Sequence, residues 1–263
     1  MTIAIFDSGA GGLTVLKTFL NLSCAANYIY FADYQHLPYG DKEPAAVAAY
    51  VMDSVNFLAK KKIDAMVIAC NTATSLAIKE LRNQSQFDFP IFGMEPAVKL
   101  AVDQLEQQGI GSRVKKAAIL IAATSITAKS QQLATLKQNF AHQANYDTVI
   151  LPELITAVEN NNFNQEKINN YLRKNINQEK KYDAIVLGCT HYSFFRNNFV
   201  ELFPQSLIVD GNLGTASHLI KQLKLNCAKN QKKQEDKAKI SFYFSQKRNT
   251  KLRKKYQALL KIA

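Results

Sequence analysis

Apolar residues along the chain gather in short runs that read as buried strands: "IAIF" (3–6), "YIYFA" (28–32), "AMVIA" (65–69), "PIFGM" (90–94), "AAILIAA" (117–123), "TVILP" (148–152), "AIVLG" (184–188) and "SLIVD" (206–210). Near-continuous apolar strands of this kind suit a sheet covered on both faces. Longer stretches of helix-forming composition, such as Pro44 to Lys60 and Ser130 to Phe140, lie between them. The alternation predicts an α/β protein with mainly parallel sheets. "NQSQFDFP" (83–90) and "EQQGIGSR" (106–113) read as polar turns, and "ISFYFSQ" (240–246) as a terminal strand.

One pattern occurs twice. "KKIDAMVIAC" (61–70) and "KKYDAIVLGC" (180–189) share both lysines, the aspartate, the alanine, one valine and the cysteine. "AIF" near the start is echoed more weakly by "AIL" at 118–120. The repeat predicts two pseudo-symmetric lobes that face one another, with chain crossings near Pro96 and Asp210. The first lobe would hold residues 1–96 and 210–263, the second residues 97–209. Ligands of open α/β sheets bind beyond the carboxyl ends of the strands. Both cysteines stand at such ends, which puts two thiols near one interlobe crevice.

The neighbours of those thiols bear on their chemistry. Cys70 is followed by Asn71, Thr72 and Thr74, and Cys189 by Thr190 and His191. Hydroxyls, amides and the N–H groups of a following helix can hold an anionic ligand and favour a thiolate. A redox pair would more often be C-x-x-C, which is absent, and zinc would need more ligands than Cys70, Cys189 and His191. A Cys–His nucleophile would account for the second cysteine only. A paired general acid and base accounts for both, one thiolate taking a proton and one thiol returning it from the other side. "DSGAGG" (7–12) is neither G-x-G-x-x-G nor a P-loop. After the first strand it is either a carboxylate cradle or a tight strand-to-helix turn. By themselves, Asp7 could cap the next helix, Tyr39 could be a packing residue, and His191 a satisfied core histidine.

Charge and cysteine number narrow the class. The net charge is +12, and from Lys224 onward thirteen Lys and Arg stand against Glu235 and Asp236 alone. A basic terminal segment could meet nucleic acid, but without an accompanying motif it reads as a solvated face, and no nucleic-acid partner is expected. Four scattered cysteines are too few for a disulfide framework and point to a reducing compartment, with Cys24 and Cys227 read as small buried hydrophobes. No apolar run reaches membrane-spanning length and no leader pattern opens the chain, so a cytoplasmic protein with no membrane partner is expected.

"AIFDSGAGGLTV", "LPYGDK", "ACNTAT" and "GCTHY", in that order, resemble the cofactor-independent glutamate racemases from about Ile3 to Ala216. The related aspartate racemases share the two-cysteine design but fit these motifs less well. The resemblance implies interconversion of L- and D-glutamate by two-base proton transfer, without cofactor or metal, supplying D-glutamate to bacterial peptidoglycan and so to cell-wall growth and cell shape. It implies Cys70 and Cys189 as catalytic acid/bases, assisted by Asp7 and His191. Ser8, Asn71, Thr72 and Thr190 would hydrogen-bond the substrate, and Pro38, Tyr39 and Gly40 would form another wall. Thr127, with Thr124 nearby, falls at a carboxylate-binding position, and Glu159 matches an acidic residue near the pocket. A homodimer is compatible with the resemblance. Three stretches depart from the family pattern, one of them "ATSIT" (123–127), which lacks a glycine between its two threonines. Tyr34, Gln35 and His36 replace small residues and an arginine, and Ser193 replaces a proline, which is expected to loosen the turn after His191.

Overall fold

The computed structural model describes residues 1–111, 115–227, 238–245 and 250–263. The ends of "EQQGIGSR" and "ISFYFSQ" and much of the basic terminal segment lie outside those residues. The chain divides into two compact units, Met1–Met94 with Asn212–Ala263, and Glu95–Gly211.

The first unit opens with β1 (Thr2–Asp7), α1 (Leu13–Asn21), β2 (Asn27–Ala32), α2 (Pro44–Ala59), β3 (Ala65–Ile68), α3 (Asn71–Asn83) and β4 (Ile91–Gly93). The second unit contains α4 (Val98–Gln107), β5 (Ala117–Ala123), α5 (Ser125–Lys129), α6 (Gln131–Asn139), β6 (Ala144–Ile150), α7 (Pro152–Glu159), α8 (Gln165–Asn175), β7 (Ala184–Gly188), α9 (Arg196–Leu202) and β8 (Leu207–Asp210). The chain then returns to the first unit as α10 (Asn212–Gln222), β9 (Ile240–Phe244) and α11 (Thr250–Ile262). Every run read as a strand from its apolar pattern contains one, though the strand under "TVILP" begins earlier, at Ala144, and Pro152 already opens α7.

Both sheets are wholly parallel. The first runs β4-β3-β1-β2-β9 and the second β6-β5-β7-β8. Without β9, the orders are the same: β2-β1-β3-β4 corresponds to β6-β5-β7-β8. Cys70 therefore follows β3 in one unit as Cys189 follows β7 in the other. The repeated aspartates do the same work in each. Asp64 accepts from the Thr2 amide at 2.6 Å and donates its own to Thr2 O at 2.9 Å. Asp183 accepts from the Ala118 amide at 2.7 Å and donates to Ala118 O at 2.8 Å. Each locks the start of a cysteine-bearing strand to its central neighbour.

Helices cover these sheets with apolar stripes. α2 begins on Pro44, where a missing N–H costs nothing, and buries Val47, Val51, Val55 and Leu58 at helical spacing. α11 buries Leu252, Tyr256 and Leu259 and exposes Lys251, Arg253, Lys254 and Lys261. Its Tyr256 ring packs on Tyr30 and Phe244, at 6.0 and 5.0 Å between centroids. In the turn after α4, Gly109 has φ +76, a conformation that glycine adopts without steric cost.

One expectation is corrected. Cys24 and Cys227 are joined in a disulfide. The segment after α10 runs antiparallel past the α1–β2 connector, the Ala25 amide donating to Asn226 O at 3.3 Å, so the two thiols lie side by side. A separation of 203 residues gave no local sign of the pairing. Among the described residues no helix is long and apolar enough to cross a membrane.

Candidate active site

The first unit gathers Asp7, Ser8, Pro38, Tyr39, Gly40, Cys70, Asn71 and Thr72 around the carboxyl ends of β1, β2 and β3. The turn after β1 is tight because its backbone comes close to neighbouring side chains. A Cβ on Gly12 would lie 2.7 Å from Asp7 Cβ and 3.2 Å from Ala69 Cβ. The Gly9 amide donates to Asp7 Oδ1 at 2.9 Å, and Tyr30 OH donates to Gly9 O at 2.7 Å, which fixes the turn from both sides.

Cys70 occupies the position just before the first turn of α3, a 13-residue helix, and Ser8 Oγ lies 3.7 Å from its sulfur. The helix N-terminus supplies amides and a positive dipole end that favour an anionic sulfur. Asn71 Nδ2 donates to Met94 O at 3.2 Å, leaving the amide oxygen on its other side. Thr72 is buried beside it. Pro38, which follows a cis Leu37–Pro38 peptide, leads into a short 3-10 turn, Tyr39–Asp41. Tyr39 OH donates to Asp33 Oδ2 at 2.6 Å. Burial, the Asp33 carboxylate, Cys70 and Asp7 together hold the phenol well above its usual range. It stays neutral and a donor.

Asp33 was missed by the sequence reading. It sits 1% exposed just past β2 and also meets His36 Nδ1, at 2.9 Å from each carboxylate oxygen. The signal was there: a carboxylate directly after an apolar strand, as at Asp7.

The second unit gathers Thr124, Thr127, Glu159, Cys189, Thr190 and His191 near the carboxyl ends of β5 and β7. Thr124 caps α5: its Oγ1 accepts from the Thr127 amide at 3.3 Å and lies 3.0 Å from Thr127 Oγ1. Cys189 is followed by a 3-10 turn, Thr190–Phe195, rather than by a long helix. Its anion would be supported by a side chain instead. Cys189 Sγ lies 4.0 Å from His191 Nδ1, and His191 Nε2 lies 2.9 Å from Glu159 Oε1. Burial alone would lower the His191 pKa, but hydrogen bonds and charge from Cys189 and Glu159 outweigh it and raise the value to about 10. The imidazole is therefore held as a cation beside Glu159 and Cys189.

Tyr192 was also missed. Its hydroxyl accepts from the Leu151 amide at 3.2 Å and reaches Ala123 O at 3.4 Å, pinning the turn to the ends of β5 and β6. Ser193 lies inside the continuous 3-10 turn and donates to Asp210 Oδ2 at 3.2 Å, a carboxylate also paired with Arg196. Cys70 and Cys189 are both buried and outside any disulfide. Among the described residues no group of three or more His, Cys, Asp and Glu is placed to hold a metal ion.

The Asp/Glu/Hydantoin racemase family profile matches residues 25–218. A glutamate racemase of Halothermothrix orenii is 41% identical over 99% of this chain and 99% of its own length. Glutamate racemase 2 of Bacillus subtilis is 40% identical over 85% of this chain and 82% of its own. Among solved structures, the Escherichia coli glutamate racemase in complex with L-glutamate and an activator superposes with a TM-score of 0.80. That match has 24% identity and covers 99% of this chain and 94% of the other.

Proposed function

The chain belongs to the Asp/Glu/Hydantoin racemase family, and on that premise we propose that it interconverts L- and D-glutamate with Cys70 and Cys189 as the two bases. It is an isomerase, an amino-acid racemase. The observation that carries the two-base reading is the duplicated strand order, which delivers one buried thiol after β3 and one after β7.

In one direction the thiolate of one cysteine takes the α-proton, and the electron pair stays on the α-carbon as it flattens. The thiol of the other cysteine then protonates the opposite face and becomes the thiolate. The net change is inversion, with the negative charge moved from one sulfur to the other. The opposite enantiomer requires the opposite protonation of the pair. The α3 N-terminus and Ser8 favour the anion at Cys70, and His191, held by Glu159, favours it at Cys189. Asp7 completes the assisting pair on the Cys70 side. Ser8, Asn71, Thr72, Thr124, Thr127 and Thr190 are buried donors of the kind a dicarboxylate needs, and Pro38, Tyr39 and Gly40 form the wall beside them. Its D-glutamate would serve cell-wall synthesis in the cytoplasm, where the Cys24–Cys227 bond would be open to reduction.

The test is turnover of each enantiomer by purified protein in deuterated water, followed by polarimetry and by entry of deuterium at the α-carbon. Cys70→Ser and Cys189→Ser should each lower racemisation by about a hundredfold or more. Near-wild-type turnover in both directions by either variant would defeat the two-base assignment. Preference for aspartate over glutamate would move the substrate assignment to the neighbouring specificity.

A further inference from the structure

We infer that His36 is a positioning residue for the wall beside Cys70, holding Tyr39 through Asp33 more firmly when its imidazole is protonated. The inference rests on the proposed placing of Tyr39 at the substrate.

The contacts form a chain. The Asp33 amide donates to Asp7 O at 3.0 Å, so the carboxylate is anchored to the end of β1. Its side chain is 2% exposed and lies between two donors, Tyr39 OH at 2.6 Å and His36 Nδ1 at 2.9 Å. The His36 amide also donates to Asp33 O at 3.0 Å, and its ring lies flat on Tyr50 of α2, 3.8 Å away at 4°. The imidazole therefore has a fixed plane and presents Nδ1–H to the carboxylate.

Burial differs along that chain. Asp33 and Tyr39 are sealed, whereas the His36 side chain is 28% exposed and lines a cavity of about 220 Å³. From α2 the cavity receives Tyr50, Asp53, Ser54 and Phe57, and from the end of β9 Phe244 and Ser245. Among the described residues, Asp33, Asp53 and Tyr50 are thus the titratable groups that share the cavity with His36, and no lysine or arginine lines it.

Histidine changes charge near neutral pH, unlike arginine. When His36 is protonated, the Asp33 charge is balanced by an ion pair. When it is neutral, Nδ1–H still donates, but a buried carboxylate is left without a counter-charge. That charge lies one phenol from Cys70 and Asp7, both of which are felt at Tyr39. The hold on the wall is therefore strongest with a protonated imidazole and weakens when that proton is lost.

KM and kcat for each enantiomer should be measured from about pH 6 to 9 in wild type, His36→Gln and His36→Arg. Wild-type KM should be about three- to tenfold higher with the neutral than with the protonated imidazole. His36→Gln should show the high KM, and His36→Arg the low KM, at every pH, with kcat much less affected. A His36→Gln variant that keeps the wild-type KM profile overturns the inference. A second readout needs no turnover: the Tyr39 ring resonance, identified by its loss in Tyr39→Phe, should follow His36 titration in wild type but not in Asp33→Asn. A Tyr39 signal indifferent to His36 overturns the inference too. A coupled signal in a protein that turns over no glutamate keeps the relay and rejects the racemase reading instead.

Discussion

At the scale of single residues, the two cysteines reach a similar chemical need by different means. Cys70 has a helix N-terminus, whereas Cys189 has a buried imidazolium held by Glu159. Because the His191 pKa rises from 6.5 to about 10 on folding, its interactions stabilise the fold fully below about pH 6.5. That contribution is lost as pH rises through about 10. Glu159→Gln should therefore cost about 3–5 kcal/mol in urea denaturation at pH 7, since it strands a buried charge. The deficit should shrink as the pH approaches 10. The same variant should slow proton transfer at Cys189, and a larger α-deuterium isotope effect should appear with one enantiomer, the one that Cys189 deprotonates. Of these residues, the cysteines and His191 stood out in short motifs, and Glu159 entered only through the family resemblance. Asp33 follows an apolar strand as Asp7 does, but its importance comes from Tyr39 and His36 folding back on it, which the strand end alone does not announce.

At the scale of elements, the repeat was legible because each copy carries a structural device as well as a thiol. Asp64 and Asp183 tie corresponding strand starts, and the parallel strands between them are apolar on both faces, so periodicity and length sufficed to find them. Asp183→Ala should destabilise by about 1.5–3 kcal/mol, since it removes a charged acceptor from a partly buried backbone amide. Asp64→Ala, at an exposed contact, should cost less, and urea midpoints will rank the two. The β1–α1 turn answers the question its glycines posed. Gly12→Ala would force a Cβ against Asp7 and Ala69, so it should cost about 1–3 kcal/mol and also depress kcat by displacing Asp7. The 3-10 turn after Cys189 was less legible. Its loosening was expected from Ser193, yet Asp210, seventeen residues on, supplies the hydroxyl's partner.

At the scale of the whole molecule, composition misled where distance in sequence hid proximity in space. Four scattered cysteines argued against disulfides, yet the return of the chain after Gly211 carries Cys227 to Cys24. The bond stands beside the amino end of β2, while Asp7 and Cys70 stand at carboxyl ends of the same sheet, about 20 Å away for strands of six residues. It should therefore matter to stability and not to chemistry. Closing so long a loop restricts the unfolded chain, so Cys24→Ser with Cys227→Ser should lower unfolding free energy by about 2–4 kcal/mol. A reducing agent should reproduce that loss in the wild type and have no effect on the double variant. Neither treatment should change kcat or KM for glutamate at temperatures well below unfolding. A parallel fall in turnover would mean that the amino-terminal edge of the sheet communicates with its carboxyl edge, and the separation of stability from chemistry argued for this unit would be wrong.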